Sequence, residues 1–291
     1  MDTFLKVITQ SYPKLQIYNI SLLDPDGGQY NDVLSAETSN GPLIFRFPCN
    51  EIGVATIQNE LRILGRIQHQ TTLPVPNPIY TSTDTQSPGR VFMGYLRLPG
   101  RPLLRDHLKT AASHTILKKW ANQMVEFLIQ LHHVPVTQFS DLPHNETLPE
   151  FQEFYNDIRQ HLFPHMSRTA RQETAAHFEN YFNNPALHHY PIALRHGDFG
   201  TGNVLYDPDT LDLTGVIDFG FTGLGDPAVD IAALSTLGDT FFGFVQAAYP
   251  NIEPLLERAR FYKGTFLLYE ALYGLITGND DIFQEAINPY V

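Results

Sequence analysis

The chain of 291 residues has a single cysteine, Cys49. An internal disulfide framework is therefore excluded, and a reducing compartment is expected. No stretch approaches the roughly eighteen consecutive apolar residues that argue for a membrane span. The first residues, Met1-Asp2-Thr3-Phe4-Leu5-Lys6, hold no basic stretch followed by an apolar run, so no signal peptide is expected. A cytoplasmic protein without a membrane partner is the reading. Basic residues are scarce, 19 Lys and Arg against 31 Asp and Glu, a net charge of −12. That disfavours nucleic acid, whose phosphates demand a basic surface. It suits a cationic small molecule drawn by long-range attraction, although acidity also serves simple solubility. Repeats and low-complexity segments are absent. The adjacent pairs His132-His133 and His188-His189 lack the helical spacing that aims two ligands at one metal, and read as surface or packing residues.

What is present is a globular composition, 43% hydrophobic and 17% charged, long enough for one large domain or two lobes. Residues 2–11 read as a helix capped by Asp2, and 15–23, 30–37 and 43–47 as strands. Residues 24–28 form a turn between the first two strands. Residues 51–68 read as a helix whose apolar stripe is Ile52, Ala55, Ile57, Leu61, Leu64 and Ile67. A further strand covers 91–98. Beyond it the texture turns helical, at 113–131, 149–164, 168–182, 226–237 and 253–275. A β-rich third thus precedes a mostly helical remainder, with a boundary near 96–100.

The chemistry lies in His196-Gly197-Asp198-Phe199-Gly200-Thr201-Gly202-Asn203, followed by Ile217-Asp218-Phe219-Gly220. Asn203 to Asp207 reads as a strand, Pro208 to Asp212 as a turn, and Leu213 to Ile217 as the strand back. Five residues out and five back, at roughly 3.3 Å each, return the chain to its starting end. Asn203 and Asp218 should meet there, with Asp198 on the loop entering it. One carboxylate can take the proton of an attacking hydroxyl. The Asn and the second carboxylate offer hard oxygens suited to Mg2+, which takes one or two carboxylates plus phosphate oxygens.

Other parts follow from what phosphoryl transfer needs. Gly28, in the turn Gly27-Gly28-Gln29, either brings backbone N–H groups to phosphate oxygens or simply makes a turn. Arg46 is a lone charge in the apolar strand Leu43-Ile44-Phe45-Arg46-Phe47 and needs a partner. Glu60, in mid-helix, is the candidate. Asp226, before Pro227, reads as a helix N-cap, hence structural. Asp230, one turn on, reads as a support for the 196–198 loop. His196 is an orienting residue packed beneath that loop rather than the base.

These residues resemble the aminoglycoside phosphotransferase family, within the protein-kinase-like fold. The likeness runs through Phe45-Arg46-Phe47-Pro48, Asn59-Glu60, Leu73-Pro74-Val75-Pro76, Leu98-Pro99-Gly100-Arg101-Pro102-Leu103, both motifs above, and Gly225-Asp226-Pro227-Ala228-Val229-Asp230. Its texture is nearest to the 2''-phosphotransferase branch. The resemblance implies an α+β, two-lobed fold, with residues 1–96 as a nucleotide-binding lobe and 97–291 as a helical lobe for catalysis and acceptor. It implies Asp198 as the catalytic Asp, Asn203 and Asp218 as Mg2+ ligands, and Arg46 with Glu60 as the strand–helix pair. Residues 93–98, with Tyr95 and Leu96, become a linker whose backbone reads the purine edge of ATP or GTP. The implied acceptor is a small-molecule hydroxyl, most simply on an aminoglycoside, with a macrolide, sugar or choline-like amino-alcohol as alternatives. A catalytically silent nucleotide-binding scaffold is the reading from another class. Asp239 and Glu270 are candidate carboxylates for a cationic acceptor. One departure stands out: Arg46 occupies a place where many kinase-like members carry Lys. A planar, bidentate guanidinium is not equivalent to a point charge, so altered nucleotide geometry is expected there.

Overall fold

The computed structural model describes residues 1–23, 30–82, 84, 86–110 and 113–291. In chain order they form α1 (Asp2–Ser11), β1 (Ile17–Leu22), β2 (Asn31–Thr38), β3 (Gly41–Pro48), α2 (Glu51–Ile67), β4 (Pro78–Thr81), β5 (Met93–Leu96), β6 (Arg101–Pro102), α3 (Arg105–Thr110) and α4 (His114–His132). There follow α5 (Leu148–Asp157), α6 (Arg168–Phe182), β7 (Ala193–Arg195), β8 (Val204–Tyr206), β9 (Leu213–Val216), β10 (Gly223–Gly225), α7 (Ala228–Leu234), α8 (Asp239–Ala248), α9 (Glu253–Thr277) and α10 (Asp280–Ile287). The expected turn carrying Gly28 lies outside the described residues.

Two compact units interleave along the chain. The first is Met1–Val134 with His196–Thr222; the second is Pro135–Arg195 with Gly223–Val291. A division at 96/97 therefore falls inside the first unit, which also takes in α4 and the segment bearing Asp198, Asn203 and Asp218.

The first unit is built on a five-stranded antiparallel sheet in the order β1-β2-β3-β5-β4. Alternation along the strands sends Leu34, Ala36, Leu43, Phe45 and Phe47 to one face, where they bury Ile8 of α1 together with Tyr80 and Phe92. β3 is buried on both faces, so Ile44 and Arg46 are covered as well. Helix α2 starts where Asn50 accepts a hydrogen bond from Gly53 N at 2.9 Å.

Several sequence expectations need correction. Asp2 lies inside the first turn of α1 and makes no capping bond; Met1 precedes the helix. Ile52 and Ala55 are exposed, and the buried face of α2 is instead Gly53, Val54, Thr56, Ile57, Glu60, Ile63, Leu64 and Ile67. The helix is rotated so that Glu60 faces inward, which a count of apolar residues alone misses. The helix expected at 149–164 ends at Asp157. A π turn, Ile158–Leu162, and a 3-10 turn, Phe163–His165, follow it. Pro164 cannot donate to the helical ladder and its ring crowds the preceding turn. The expected helix over 226–237 is α7 and a terminal 3-10 turn, Ser235–Leu237.

The second unit is helical apart from the two-stranded ribbon β10-β7. α9 is its axis. Tyr181 of α6 stacks on Phe261 of α9 at 3.7 Å, and Phe151 of α5 meets both edge-on. The second unit holds a cavity of about 460 Å³ lined by His177, Asn180, Tyr181, Glu257 and Arg260 among others. Among the described residues no helix is long and apolar enough to cross a membrane.

Candidate active site

The site begins with a hairpin. Val204 of β8 stands opposite Val216 of β9, and Ile217 N donates to Asn203 O at 2.9 Å. Asn203 and Asp218 therefore emerge at the same end. α4 braces the far end, where Trp120 Nε1 donates to Leu211 O at 2.9 Å and Gln123 Oε1 accepts from Leu213 N at 3.3 Å. β6 pairs along the outer edge of β8.

Asp198 lies on the loop entering this hairpin and is exposed. Asn203 Nδ2 donates to both Asp198 O and Asp198 Oδ2, each at 2.9 Å. Only the NH2 end of an amide can serve two acceptors, so the side-chain oxygen of Asn203 is the end turned elsewhere. Gly197 takes φ +85, a left-handed conformation that a side chain would resist. That turn lets His196 point inward while Asp198 points out.

His196 is fully buried. Asp198 N donates to its Nδ1 at 3.3 Å, and Nε2 lies 3.3 Å from Ile217 O. With Nδ1 accepting, Nε2 carries the proton and donates to that carbonyl. One neutral imidazole thus ties the loop to the strand before Asp218. Phe199 and Phe219 pack on the ring, and Phe127 of α4 stacks on Phe199 at 5.6 Å. Thr222 Oγ1 donates to His196 O at 3.0 Å.

Arg46 and Glu60 are brought together: Nη1 lies 2.7 Å from Oε2, with both side chains buried. Sequence reasoning missed the second partner. Arg46 Nη2 reaches Asp218 Oδ1 at 3.0 Å. Glu60 Oε1 in turn accepts from Phe219 N at 3.2 Å. One guanidinium therefore joins β3, α2 and the segment after β9. Burial pushes the Glu60 carboxyl up to about 7. Arg46 and the Phe219 amide pull it down, and Asp218 adds to the rise. For Asp218 burial also acts upward, but Arg46's charge and hydrogen bond outweigh it and hold this carboxyl below its ordinary range. Burial opposes the charge on Arg46, yet its two carboxylates raise its proton affinity further. Asp218 holds φ +65, a conformation Asp tolerates better than most residues.

A family model described as "Phosphotransferase enzyme family" matches residues 22–262. The chain belongs to the phosphotransferase enzyme family. The phosphotransferase is 29% identical over 238 residues to viomycin phosphotransferase of Streptomyces vinaceus, a span covering 79% of each protein. Its fold superposes on the GDP and kanamycin complex of APH(2")-IIia with a TM-score of 0.88 at 23% identity, covering 99% of this chain and 96% of that one. It also superposes on macrolide 2'-phosphotransferase type I, with a TM-score of 0.71 at 17% identity, covering 100% and 97%. At such identities the likeness speaks for the fold alone: an α+β, protein-kinase-like architecture with an antiparallel amino-terminal sheet and a helical carboxy-terminal part.

The remaining expected residues of the phosphotransferase are distributed as follows. Tyr95 of β5 is buried and pairs with Ile44, and its phenol is pushed up by burial, with Arg46 acting the other way. Leu96, the next residue, is half exposed. Asp226 is fully buried in the second unit. Its carboxylate takes Arg258 Nε at 2.5 Å and Nη2 at 3.1 Å, Tyr262 OH at 2.9 Å, and Ala228 N at 2.9 Å. Asp226 thus caps the start of α7 as the sequence suggested, with Pro227 between it and Ala228. Asp230 is fully buried in α7. Asp239 opens α8, and both it and Glu270 of α9 are exposed.

Asn59 was not singled out for a role of its own. Its amide donates to Gly220 O at 3.0 Å and Thr222 O at 2.7 Å, holding the chain just past Asp218. A polar residue beside Glu60 in mid-helix is the only signal it leaves. The donor set also fits one kind of metal. Among the described residues no group of three or more His, Cys, Asp or Glu is arranged to hold an ion. Asn203 and Asp218 supply two hard oxygens at one hairpin end, which suits Mg2+ completed by phosphate and water, and not a protein-only cage.

Proposed function

We propose that this phosphotransferase moves the terminal phosphoryl group of ATP or GTP to a hydroxyl of a small cationic molecule, an aminoglycoside or an antibiotic of similar charge. The observation that carries this reading is the hairpin end where Asp198, Asn203 and Asp218 sit within one hydrogen-bonded cluster that Arg46 joins to the sheet. Asp198 accepts the proton of the attacking hydroxyl. The hydroxyl oxygen bonds to the terminal phosphorus as the bridging P–O bond breaks, and the nucleoside diphosphate leaves. Asn203 and Asp218 would hold Mg2+, which supplies charge neutralisation on the phosphates. Arg46, kept in place by Glu60, clamps phosphate oxygens. The backbone of residues 93–98, with Tyr95 and Leu96, reads the purine. Residues 1–96 serve the nucleotide. His196 orients the loop, Asp226 and Asp230 are buried structural residues of the second unit, and Asp239 with Glu270 stand as carboxylates for acceptor ammonium groups. The net charge of −12, the name of viomycin phosphotransferase and the kanamycin bound in the solved structure support a cationic acceptor.

The experiment is an acceptor screen with purified protein, Mg2+, and ATP and GTP separately. The panel holds aminoglycosides, viomycin, a macrolide, a sugar and choline, with nucleotide consumption and acceptor mass as readouts. Transfer to an aminoglycoside or viomycin is expected, and transfer only to a neutral acceptor refutes the cationic assignment. Asp198→Asn should lower turnover by roughly two to four powers of ten with nucleotide affinity retained. Near-normal turnover in that variant removes Asp198 from the role. Mg2+-dependent nucleotide binding without transfer to any acceptor would establish a silent scaffold instead.

A further inference from the structure

The segment His196–Thr222 is inserted between two short strands of the second unit. β7 ends at Arg195, β10 begins at Gly223, and these two residues are direct partners in the antiparallel pair. The stretch bearing Asp198, Asn203 and Asp218 therefore leaves and returns through one neck, two strands wide. Each strand there has three residues, and an isolated two-stranded ribbon is marginally stable. Something besides the ladder must hold the neck.

Glu146 lies across it. Its Oε1 accepts from Arg195 Nη2 at 2.5 Å, and its Oε2 from Arg195 Nε at 3.2 Å and from Asp226 N at 3.3 Å. One carboxylate thus grips the last residue of β7 and the first residue past β10. Both side chains of the pair are about nine-tenths buried, at 8% and 11% exposure. A planar fork on a carboxylate gives directional as well as electrostatic strength. Asn145 adds to this, because its N and Nδ2 both donate to Leu224 O, at 2.8 and 3.2 Å.

Two local costs make sense only with this arrangement. Glu146 holds φ +58, a conformation that disfavours a residue with a side chain by roughly 1–2 kcal/mol. β10 reads Gly-Leu-Gly, poor material for a strand. A Cβ at Gly225 would lie 1.9 Å from Glu146 Oε2, and one at Gly223 would lie 2.3 Å from Asn145 Nδ2. The missing side chains are the space into which residues 145 and 146 reach.

We propose that Glu146 is a positioning residue for phosphoryl transfer, a staple that fixes the neck of the catalytic segment. It touches no reacting atom and acts through Arg195 and Asp226. The inference rests on the function proposed above. Glu146→Gln keeps the shape but turns an NH2 toward a donor, Gly225→Ala pushes the carboxylate from its seat, and Glu146→Asp keeps the charge. Mg2+-dependent nucleotide turnover with the accepted antibiotic is measured for each. For Glu146→Gln and Gly225→Ala, kcat should fall by about tenfold or more while the nucleotide KM changes less than about twofold. Glu146→Asp should recover part of the loss. A lowered melting temperature with unchanged kcat, or equal losses in kcat and nucleotide affinity, would reduce Glu146 to a structural part and overturn the proposal. Should the native protein transfer nothing, the proposed function fails by itself. The staple is then read by hydrogen exchange: amides of 196–203 and 217–222 should exchange faster in Glu146→Gln relative to α9, and unchanged protection there overturns it.

Discussion

Replacing Glu60 by leucine removes a fully buried carboxylate that holds Arg46 Nη1 at 2.7 Å and Phe219 N at 3.2 Å. Breaking one side of a buried ion pair costs about 3–5 kcal/mol. The orphaned Phe219 amide adds roughly 1–3 kcal/mol. Two effects pull the other way. The burial penalty that lifts Glu60 to about 7 disappears, and Arg46 keeps Asp218 at 3.0 Å, a carboxylate whose side chain is still 35% exposed. A net loss of about 3 kcal/mol is expected, a large share of the 5–15 kcal/mol typical of folded domains. Arg46→Met alone should cost about 2–3 kcal/mol, because it strands Glu60 in the interior. The double variant leaves neither buried charge, so its cost should come close to the Phe219 amide alone, about 1–2 kcal/mol. The coupling energy is then roughly 3–5 kcal/mol. Urea titration of the four proteins measures it, with Trp120, the single tryptophan and buried in the first unit, as the reporter. Nucleotide affinity should stay lost in the double variant even as stability returns. Single costs that add to within about 0.5 kcal/mol would refute the claim that Arg46 and Glu60 act as one buried pair.

Gly197→Ala should destabilise the protein by roughly 1–2 kcal/mol, because φ is +85 there, and should lower turnover more than nucleotide binding; an unaffected kcat would contradict the role given to that turn. His177, whose Nε2 lies 3.0 Å from Phe261 O, has its pKa depressed by burial, with that carbonyl acting the other way. The unfolded chain then takes up the proton first. The stability held by neutral His177 is present above its ordinary value near 6.5 and is lost as pH falls through that value toward the folded one. Melting temperatures from pH 7.5 to 5 should fall more steeply in the native protein than in His177→Gln, and parallel curves would show no such linkage. Chelation of Mg2+ should abolish transfer, and Asn203→Ala should raise the Mg2+ concentration needed for half-maximal rate by about tenfold or more; an unchanged Mg2+ requirement would take Asn203 out of the metal site.

Much of the cluster could be read from the chain because its parts obey short-range rules. The hairpin between Asn203 and Asp218 follows from strand rise and a Pro-Asp turn. The Arg46–Glu60 pair follows from the cost of a lone charge on an apolar strand. What escaped are contacts that no local pattern encodes. Arg46 meets Asp218 across 172 positions and Glu60 meets the Phe219 amide across 159, and nothing near Arg46 announces either. Glu146 sits in Asn145-Glu146-Thr147 just before the capping box of α5, where a charged residue normally belongs to solvent. The inward turn of α2 displaced Ile52 because Glu60 took the buried face. α8 and α10 were overlooked because α8 buries only Phe241 and Val245, and α10 only Phe283, Ala286 and Ile287.

The interleaving of the two units has a consequence for how the molecule comes into being. Synthesis delivers Arg46 and Glu60 early, yet two of their partners, Asp218 and the amide of Phe219, follow more than 150 positions later. Until then a buried cation and a carboxylate face each other without the third member that balances them, so the amino-terminal sheet cannot reach its final state as it leaves the ribosome. A fragment ending at 96 should for the same reason make a poor independent domain. The sheet of the first unit therefore reaches its final state only after residues 218 and 219 have been made.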